Sequence, residues 1–237
     1  MNAAVSFVKM LAFRPLAALP GRLGEAFETR YLWARRAVNL AGTADAFDAA
    51  LAALPANAIC IDLGANVGVI TERLADHART VHAFEPDPWA FARLAERVGG
   101  RPNVVLHNAA AGAEDGVLKM MRDPGFGANP AGTSQGTSAF GSLLWEKGEP
   151  DVFEAPVVDF RRFVRDLGAP VALVKVDIEG SEVPLLEALL DAPERELIGE
   201  MFVETHEAQM PQLRARTKAL RERAGAIEKP VIHLDWA

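Results

Sequence analysis

The chain has 237 residues, of which half are hydrophobic and 24% are charged, and its formal net charge is −7. The composition is ordinary for a globular protein, and the length fits one α/β domain with additions or at most two small domains. The excess of acid makes the chain a poor general nucleic-acid binder, because phosphate contact needs clustered Lys and Arg. The lone Cys60 excludes an internal disulfide framework and favours a reducing, cytoplasmic compartment, and no apolar run reaches the ~18 residues that span a bilayer.

Residues 1–55 predict a helical extension ahead of the main domain. The segment Met1–Leu23 contains no acid, and basic residues and prolines interrupt its apolar residues. Residues 25–54 have a helical pattern that we expect to break near Ala41–Thr43 and to end at Pro55. We expect the extension to pack on the domain or on a second copy in a homodimer. The alternative is an amphipathic segment that lies on an anionic membrane surface.

From residue 58 onward, strand patterns alternate with helix patterns. The predicted strands are 58–63, 80–84, 104–107, 152–158, 171–178, 198–205 and 231–236. The predicted helices are 66–75, 88–98, 160–167, 183–190 and 209–224. Such alternation is typical of a parallel sheet with helices on both faces, so we expect one α/β domain over residues 56–237.

Residues 122–150 interrupt the alternation. They contain six glycines and three prolines. A loop of this length inside a compact domain is usually functional or mobile. We therefore expect a flexible loop or flap over a pocket, with a plain disordered insertion as the alternative.

The segment Asp62–Gly68 joins the first strand of the domain to its first helix, where a sheet of this kind places its ligand. Gly64 permits a sharp turn with close backbone approach, and Gly68 permits close packing of the helix. A dinucleotide fingerprint requires another glycine where Asn66 stands, so the loop favours a nucleoside without a diphosphate. The charge of Asp62 would repel a phosphate and suit a cation. A tight turn with a purely structural role is the alternative.

Two later strands end in residues that extend this candidate site. Glu85 stands 23 residues beyond Asp62 and can accept hydrogen bonds from both hydroxyls of a ribose, while Pro86 stiffens the exit from the strand. Asn108, followed by Ala109, comes after the third strand and can reach an adenine edge. One α/β sheet can direct all these groups at a single nucleoside.

Five segments together resemble the FkbM-type S-adenosylmethionine-dependent methyltransferases. They read IDLGANVGVIT, AFEPDP, HNAAAG, VKVDIEGSE and VETHE, and VKVDIEGSE is the most specific. The resemblance implies a Rossmann-like, seven-stranded methyltransferase fold that usually closes with an antiparallel hairpin. It also implies O-methylation of a sugar, glycan or secondary metabolite. It places S-adenosylmethionine on Asp62, Gly64, Asn66 and Gly68, with Glu85 at the ribose and Asn108 near the adenine.

Several charged or titratable side chains stand at the carboxyl ends of two later strands. Lys175, Asp177 and Glu179 share one face of a predicted strand, and Glu204 and His206 end the next one. A charge inside an apolar strand is costly unless it is paired, so we expect Lys175 to pair with Asp177 or with a ligand. These residues are expected to surround the acceptor side of the methyl donor. A structural ion-pair network is the alternative.

Methyl transfer to a hydroxyl mainly needs alignment and exclusion of water, and a base helps because a hydroxyl is a weak nucleophile. His206 is the preferred candidate base, since an ordinary histidine pKa of ~6.5 lies near the operating pH, and Asp177 is the second candidate. A third option is Mg²⁺ or Mn²⁺ held by Asp177, Glu204 and His206, which would lower the pKa of the hydroxyl.

The sequence therefore predicts an O-methyltransferase with a small-molecule or glycan acceptor and no nucleic-acid partner. An NAD-dependent oxidoreductase is one alternative, and Asn66 argues against it. A non-catalytic protein that binds S-adenosylmethionine is the other.

Overall fold

The computed structural model describes residues 3–140, 148–234 and 236. The helices in this part of the chain are α1 Ala3–Leu16, α2 Gly21–Ala52, α3 Val69–Ala75, α4 Pro88–Val98, α5 Pro130–Thr133, α6 Phe160–Asp166, α7 Glu182–Leu190 and α8 Arg214–Ala224. The strands are β1 Ile59–Leu63, β2 Thr80–Phe84, β3 Val104–His107, β4 Ala110–Gly112, β5 Gly116–Arg122, β6 Asp151–Asp159, β7 Val171–Val176, β8 Ile198–Val203 and β9 Val231–Leu234. None of these helices is both long enough and apolar enough to cross a bilayer.

The central sheet has the strand order β3-β2-β1-β7-β8-β9, and every neighbouring pair is parallel. Chain order reverses between β1 and β7, which are paired in register from Cys60↔Leu173 to Leu63↔Val176. In open parallel sheets, ligands bind beyond the carboxyl ends of the strands at such a reversal. The predicted α/β fold is confirmed.

Helices cover both faces of this sheet, because successive residues of a buried strand point to opposite sides. Ile61 and Val174 pack in a core cluster with α6, α7 and α8. Their neighbours Cys60 and Leu173 pack on the other side with Phe47 of α2 and with α3. Because both faces of the central sheet are covered by apolar side chains, β1 and β7 are near-continuous hydrophobic runs.

The carboxyl-terminal edge differs from what the resemblance implied. The described sheet has six strands, not seven, and β9 pairs with β8 in parallel from Glu200↔Val231 to Val203↔Leu234. The helix α8 lies between these two strands in the chain and provides the crossover that a parallel pair requires. The expected antiparallel hairpin is therefore not formed by β8 and β9.

A second, three-stranded sheet has the order β4-β6-β5, with β6 parallel to β4 and antiparallel to β5. The strand predicted at 152–158 is confirmed as β6, but it belongs to this sheet and not to the central one. The sequence analysis did not predict β4 or β5. β4 has only three residues, and β5 has a single buried residue, Met120.

The amino-terminal extension is helical, as predicted, but α2 runs unbroken through Gly42. The predicted break near Ala41–Thr43 is wrong. A glycine inside a helix costs ~1 kcal/mol relative to alanine, and the burial of Phe47 and Leu51 beyond it outweighs that cost. On α1, exposed apolar side chains remain, namely Val5, Phe7, Val8 and Leu11. Contact of this face with a second copy or a membrane stays a prediction.

The loop predicted at 122–150 lies partly within the described residues, while 141–147 fall outside them. Its described part contains α5 and a short 3₁₀ helix, Ser134–Gly136. Ser138 exchanges two backbone hydrogen bonds with Met121 of β5, which attaches this segment to the second sheet.

Candidate active site

A pocket of about 530 Å³ opens beyond the carboxyl ends of β1, β2 and β7. This volume suits a small-molecule ligand. The residues that line it are Arg36, the loop Gly64–Val67, Val69, Ile70, Phe84, Glu85, Pro86, Ala109–Ala111, Leu118, Met120, Ser134, Thr137, Lys175, Asp177–Glu179, Ser181, Glu204 and Trp236. The strand order thus brings the three predicted groups of site residues to one cavity. Ser134 and Thr137 are in the lining, which is compatible with the predicted flap.

The loop after β1 depends on two glycines with left-handed backbone. Gly64 has φ +75°, and a Cβ there would overlap the carbonyl of Asp177 on the neighbouring strand exit. Gly68 has φ +88°, and a Cβ there would lie 2.8 Å from Leu94 of α4. Gly64 therefore permits close backbone approach at the pocket, and Gly68 permits helix packing behind it.

Glu85 also lines the pocket and is almost fully buried. Its carboxylate accepts hydrogen bonds from the backbone N–H of Asn66 (2.7 Å) and of Asp87 (2.8 Å). Burial raises the pKa of Glu85 to about 7, although both backbone amides act in the other direction. The carboxylate is thus held in place next to the glycine loop, where a ribose was expected.

Asn108, predicted near an adenine, has intramolecular partners. Its side-chain amide donates to the carbonyl oxygens of Glu85 (2.8 Å) and Pro86 (3.5 Å). Asn108 is not in the pocket lining, whereas its neighbour Ala109 is. Contact of Asn108 with the cofactor therefore stays a prediction, and in this structure its side chain holds the exit of β2.

Asp62 and Lys175 form a buried pair beneath the loop. Asp62 Oδ2 accepts a hydrogen bond from the Thr71 hydroxyl (2.6 Å), and Asp62 Oδ1 lies 3.2 Å from Lys175 Nζ. Lys175 Nζ also donates to the Gly64 carbonyl (2.6 Å) and lies 3.7 Å from Asp177 Oδ2. Burial alone would lower the pKa of Lys175, but Asp62 and then Asp177 outweigh it and raise that pKa. The predicted pairing with Asp177 exists, yet Asp62 is the nearer partner.

The imidazole of His206 is buried inside a ring of carboxylates. Nδ1 lies 3.1 Å from Glu182 Oε1, while Nε2 lies 3.4 Å from Glu179 Oε2 and 3.7 Å from both Asp177 Oδ1 and Glu204 Oε1. Burial alone would lower the pKa of His206, but Glu182 and Glu179 outweigh it and raise that pKa well above its ordinary value. Asp177, Glu179, Glu204 and His206 therefore do come together.

The sequence analysis missed Glu182, although it lies inside the quoted motif VKVDIEGSE. This carboxylate is fully buried and accepts hydrogen bonds from the backbone N–H of Gly180 (2.7 Å) and of His206 (3.2 Å), in addition to its contact with the imidazole. Glu182 thus fixes the orientation of His206. The signal available was an acid at the start of a predicted helix.

Arg36 was also missed, and no local signal pointed to it. It projects from α2 into the pocket and forms a close ion pair with Glu204, 168 residues away in the chain. Burial and then Asp177 raise the pKa of Glu204 to about 7, against the opposing effects of His206 and Arg36. The amino-terminal extension therefore contributes directly to the site.

Acids outnumber bases at this end of the pocket. The acids are Asp62, Asp177, Glu179, Glu182 and Glu204, and the bases are Lys175, Arg36 and His206. Excess negative charge in a largely buried site favours a cationic ligand, such as a sulfonium or a metal ion.

The parallel sheet, the glycine turn at its reversal point and the buried acid after β2 are typical of nucleoside-binding α/β enzymes. Residues 62–225 match the family model described as Methyltransferase FkbM domain, and this match covers more than half of the chain. The chain therefore belongs to the FkbM-type methyltransferase family, which implies S-adenosylmethionine as methyl donor. The predicted family is confirmed, and the NAD-dependent oxidoreductase and the non-catalytic binding protein are set aside.

Two relatives illustrate this similarity. Methyltransferase 1 of Beauveria bassiana is 29% identical over 204 residues, which cover 79% of this chain and 79% of that protein. The 31-O-demethyl-FK506 methyltransferase FkbM of Streptomyces tacrolimicus is 30% identical over 162 residues, which cover 56% of this chain and 60% of that protein. The chain thus spans less than two thirds of the second relative.

Among solved structures, the methyltransferase FkbM of Methylobacillus flagellatus is 16% identical, with a TM-score of 0.36 over 80% of this chain and 46% of that one. An rRNA methylase of Streptococcus thermophilus is 12% identical, with a TM-score of 0.41 over 77% and 78% of the two chains. At these TM-scores the fold is assigned from the sheet order and not from the neighbours.

Proposed function

We propose that this enzyme transfers the methyl group of S-adenosylmethionine to a hydroxyl of a sugar, glycan or secondary metabolite. The observation that carries the proposal is the group of carboxylates at one end of the pocket, formed by Asp177, Glu179 and Glu204. They supply negative charge for a sulfonium and hydrogen-bond acceptors for a hydroxyl. An acceptor amine would depend on a neighbouring base less than an acceptor hydroxyl does.

The two ends of the pocket suit the two ends of the methyl donor. The adenosine would lie between the loop at Gly64 and the wall at Ala109–Ala111, with its ribose hydroxyls at Glu85. The sulfonium would then point toward Asp177, which is partly exposed in the cavity. This orientation presents the methyl carbon to the carboxylates, where an acceptor can approach in line.

Glu204 is the proposed proton acceptor. Its carboxylate lines the pocket and is held there by Arg36. Both ring nitrogens of His206 face carboxylates, which favour the protonated imidazolium and so make His206 the poorer base. As Glu204 takes the hydroxyl proton, the acceptor oxygen forms its bond to the methyl carbon. The carbon–sulfur bond breaks and its electron pair stays on sulfur, giving a methyl ether and S-adenosylhomocysteine.

One relative supports oxygen as the acceptor atom, because its name describes a methyltransferase for 31-O-demethyl-FK506. The acceptor of this chain is set by its own pocket. Its lining is part apolar, with Leu118 and Met120 of β5 and Trp236 near the carboxyl terminus. These side chains favour an acceptor with an apolar face beside its hydroxyl.

The test is methyl transfer from radiolabelled S-adenosylmethionine to a panel of sugar, glycan and natural-product hydroxyls. We expect Glu204→Gln to lower kcat by about 10²–10⁴-fold, the usual contribution of a general base, with the affinity for S-adenosylmethionine retained. The matched control is Glu200→Gln on β8, the strand that Glu204 follows, because the Glu200 carboxylate contacts His233. Equal turnover in Glu204→Gln and wild type, or methylation at nitrogen alone, would contradict the proposal.

A further inference from the structure

We propose that Asp177, Glu179 and His206 form a binding site for a divalent cation of the Mn²⁺ type, next to the methyl donor. The binding itself is independent of the proposed function, but the catalytic role given to the cation rests on it.

The three donor groups have the spacing of ligands to one ion. One donor atom from each lies within 4.8 Å of the others. His206 Nε2 is 3.4 Å from Glu179 Oε2 and 3.7 Å from Asp177 Oδ1, and its geometry forms a hydrogen bond with neither. Donors that lie about 2.0–2.3 Å from a shared ion are separated by roughly 3–4.5 Å, so these distances need little adjustment.

His206 Nε2 supplies the observation that a cluster of acids alone would lack. The ring is buried, and Nε2 has no hydrogen-bond partner although it points into the carboxylates. On the other side, Nδ1 lies 3.1 Å from Glu182 Oε1, which is itself anchored by the backbone N–H of Gly180. A carboxylate behind a histidine, with the opposite nitrogen directed at the ion, is the usual support of a metal-bound imidazole, and the ion would replace the proton that the carboxylates favour on Nε2.

The ligand set differs from the predicted one, because Glu179 takes the place of Glu204. The Glu204 carboxylate is engaged by Arg36, whereas among the described residues no arginine or lysine forms an ion pair with Glu179, whose charged neighbour is His206. The turn that carries Glu179 has φ +50°, and the hydroxyl of Ser138 donates to its carbonyl oxygen (2.6 Å). The described part of the loop 122–150 thus helps to hold this ligand.

The donor chemistry indicates the kind of ion. Two carboxylates and one imidazole nitrogen suit Mn²⁺ better than Mg²⁺, which prefers oxygen ligands alone and retains its water. Asp177 and Glu179 line the pocket, so the remaining coordination positions would face the acceptor. A hydroxyl bound there would have a lower pKa, and Glu204 would receive its proton as the oxygen forms its bond to the methyl carbon.

The experiment is a titration of the full chain, freed of metal with EDTA and dialysed, with MnCl₂ in the absence of methyl donor and acceptor. Free Mn²⁺ is followed by electron paramagnetic resonance. We expect one Mn²⁺ per chain in the wild type, and at least tenfold weaker binding in Asp177→Asn and Glu179→Gln. Glu182→Gln tests the positioning role of that residue and is expected to weaken binding about 10–100-fold. The control, His233→Gln, alters a histidine–glutamate pair outside the pocket and should bind as the wild type does.

The proposal is overturned if the wild type binds no Mn²⁺ at millimolar concentration. It is also overturned if folded Asp177→Asn and Glu179→Gln, checked by thermal unfolding, bind Mn²⁺ as tightly as the wild type. Hydroxyl methylation that continues undiminished in EDTA would remove the catalytic role and leave the proposed function intact. Tight Mn²⁺ binding in an enzyme that methylates only nitrogen would contradict the proposed function and leave the cation site intact.

Discussion

Lys175 is a buried cation on which the geometry of the site depends. Its ammonium group joins the loop carbonyl of Gly64 to the carboxylates of Asp62 and Asp177. A charge in an apolar strand is tolerated because these partners compensate its desolvation. Lys175 therefore fixes the distance between the glycine loop and the exit of β7, whatever further part it has in the reaction.

Replacing Lys175 by methionine should lower the free energy of unfolding by about 3–5 kcal/mol, because the Asp62 charge would remain buried without its cation. Urea denaturation measures this difference. The control is Lys119→Met at an exposed position of β5, which should stay within ~0.5 kcal/mol of the wild type. A Lys175→Met protein as stable as the control would show that the pair does not support the fold.

Residues near strand ends could be predicted as site members, whereas residues from distant elements could not. Asp177 and Glu204 directly follow neighbouring parallel strands, whose carboxyl ends must meet at one edge. Arg36 lies on a helix that no local pattern places over that edge. The ligand set also depended on Arg36, since its ion pair with Glu204 leaves Glu179 as the carboxylate nearest His206 Nε2.

At the scale of single elements, β2 and β3 are joined by a histidine pair. His82 Nδ1 lies 3.1 Å from His107 Nε2, and both rings are half-buried beside Phe163. Burial lowers the pKa of His82, and burial together with the His82 charge lowers the pKa of His107 to about 4. The folded protein therefore keeps this pair neutral at pH values where the unfolded chain is protonated.

This pair predicts a loss of stability in acid. Unfolded histidines protonate near pH 6.5 but folded His107 only near pH 4, so the unfolded state binds more protons between these values. The contribution is complete above pH 6.5 and is lost as pH falls toward 4, by up to ~1.4 kcal/mol per pH unit for one proton. In urea denaturation from pH 7 to 4.5, His107→Gln should flatten this dependence, and exposed His77→Gln should not. An unchanged slope in His107→Gln would contradict the assignment.

Most elements of the central sheet were predictable because they are buried on both faces or begin at clear caps. For example, the Asp87 carboxylate caps α4 and accepts a hydrogen bond from the N–H of Trp89. The second sheet was not predictable from such signals, since β4 is short and β5, with a single buried residue, lacks a hydrophobic period. Tertiary packing keeps α2 continuous, because it outweighs the low helix propensity of Gly42.

At the scale of the whole molecule, the amino-terminal extension shares a core with the carboxyl-terminal strands. Phe47 of α2 packs against Phe202 of β8 and against Trp236, with both ring centroids 5.0 Å away. The same helix carries Arg36 to the active site. Packing in one part of α2 therefore supports the position of a site residue in another.

Phe47→Ala should lower the free energy of unfolding by about 3–5 kcal/mol, the usual cost of deleting a buried aromatic ring. The matched control is Leu11→Ala on α1, whose side chain is 54% exposed and whose loss should change stability by no more than ~0.5 kcal/mol. Chemical denaturation of both variants makes the comparison. Equal stability of Phe47→Ala and Leu11→Ala would mean that α2 is not part of the folded core.

The overall alternation of strands and helices predicted one parallel sheet, and the loop Asp62–Gly68 after its first strand predicted where the site lies. Strand number and direction at the β8–β9 edge were not predictable, because a short terminal strand such as Val231–Leu234 has the same pattern in either direction. The resemblance implied an antiparallel closure there, and the crossover through α8 gives a parallel pair instead.

The most direct measurement is a crystal structure of the protein with S-adenosylhomocysteine. The account predicts the nucleoside in the pocket at Gly64, with its ribose hydroxyls on the Glu85 carboxylate and its sulfur directed toward Asp177 and Glu204. A ligand bound elsewhere, or one whose sulfur points away from these carboxylates, would contradict the account.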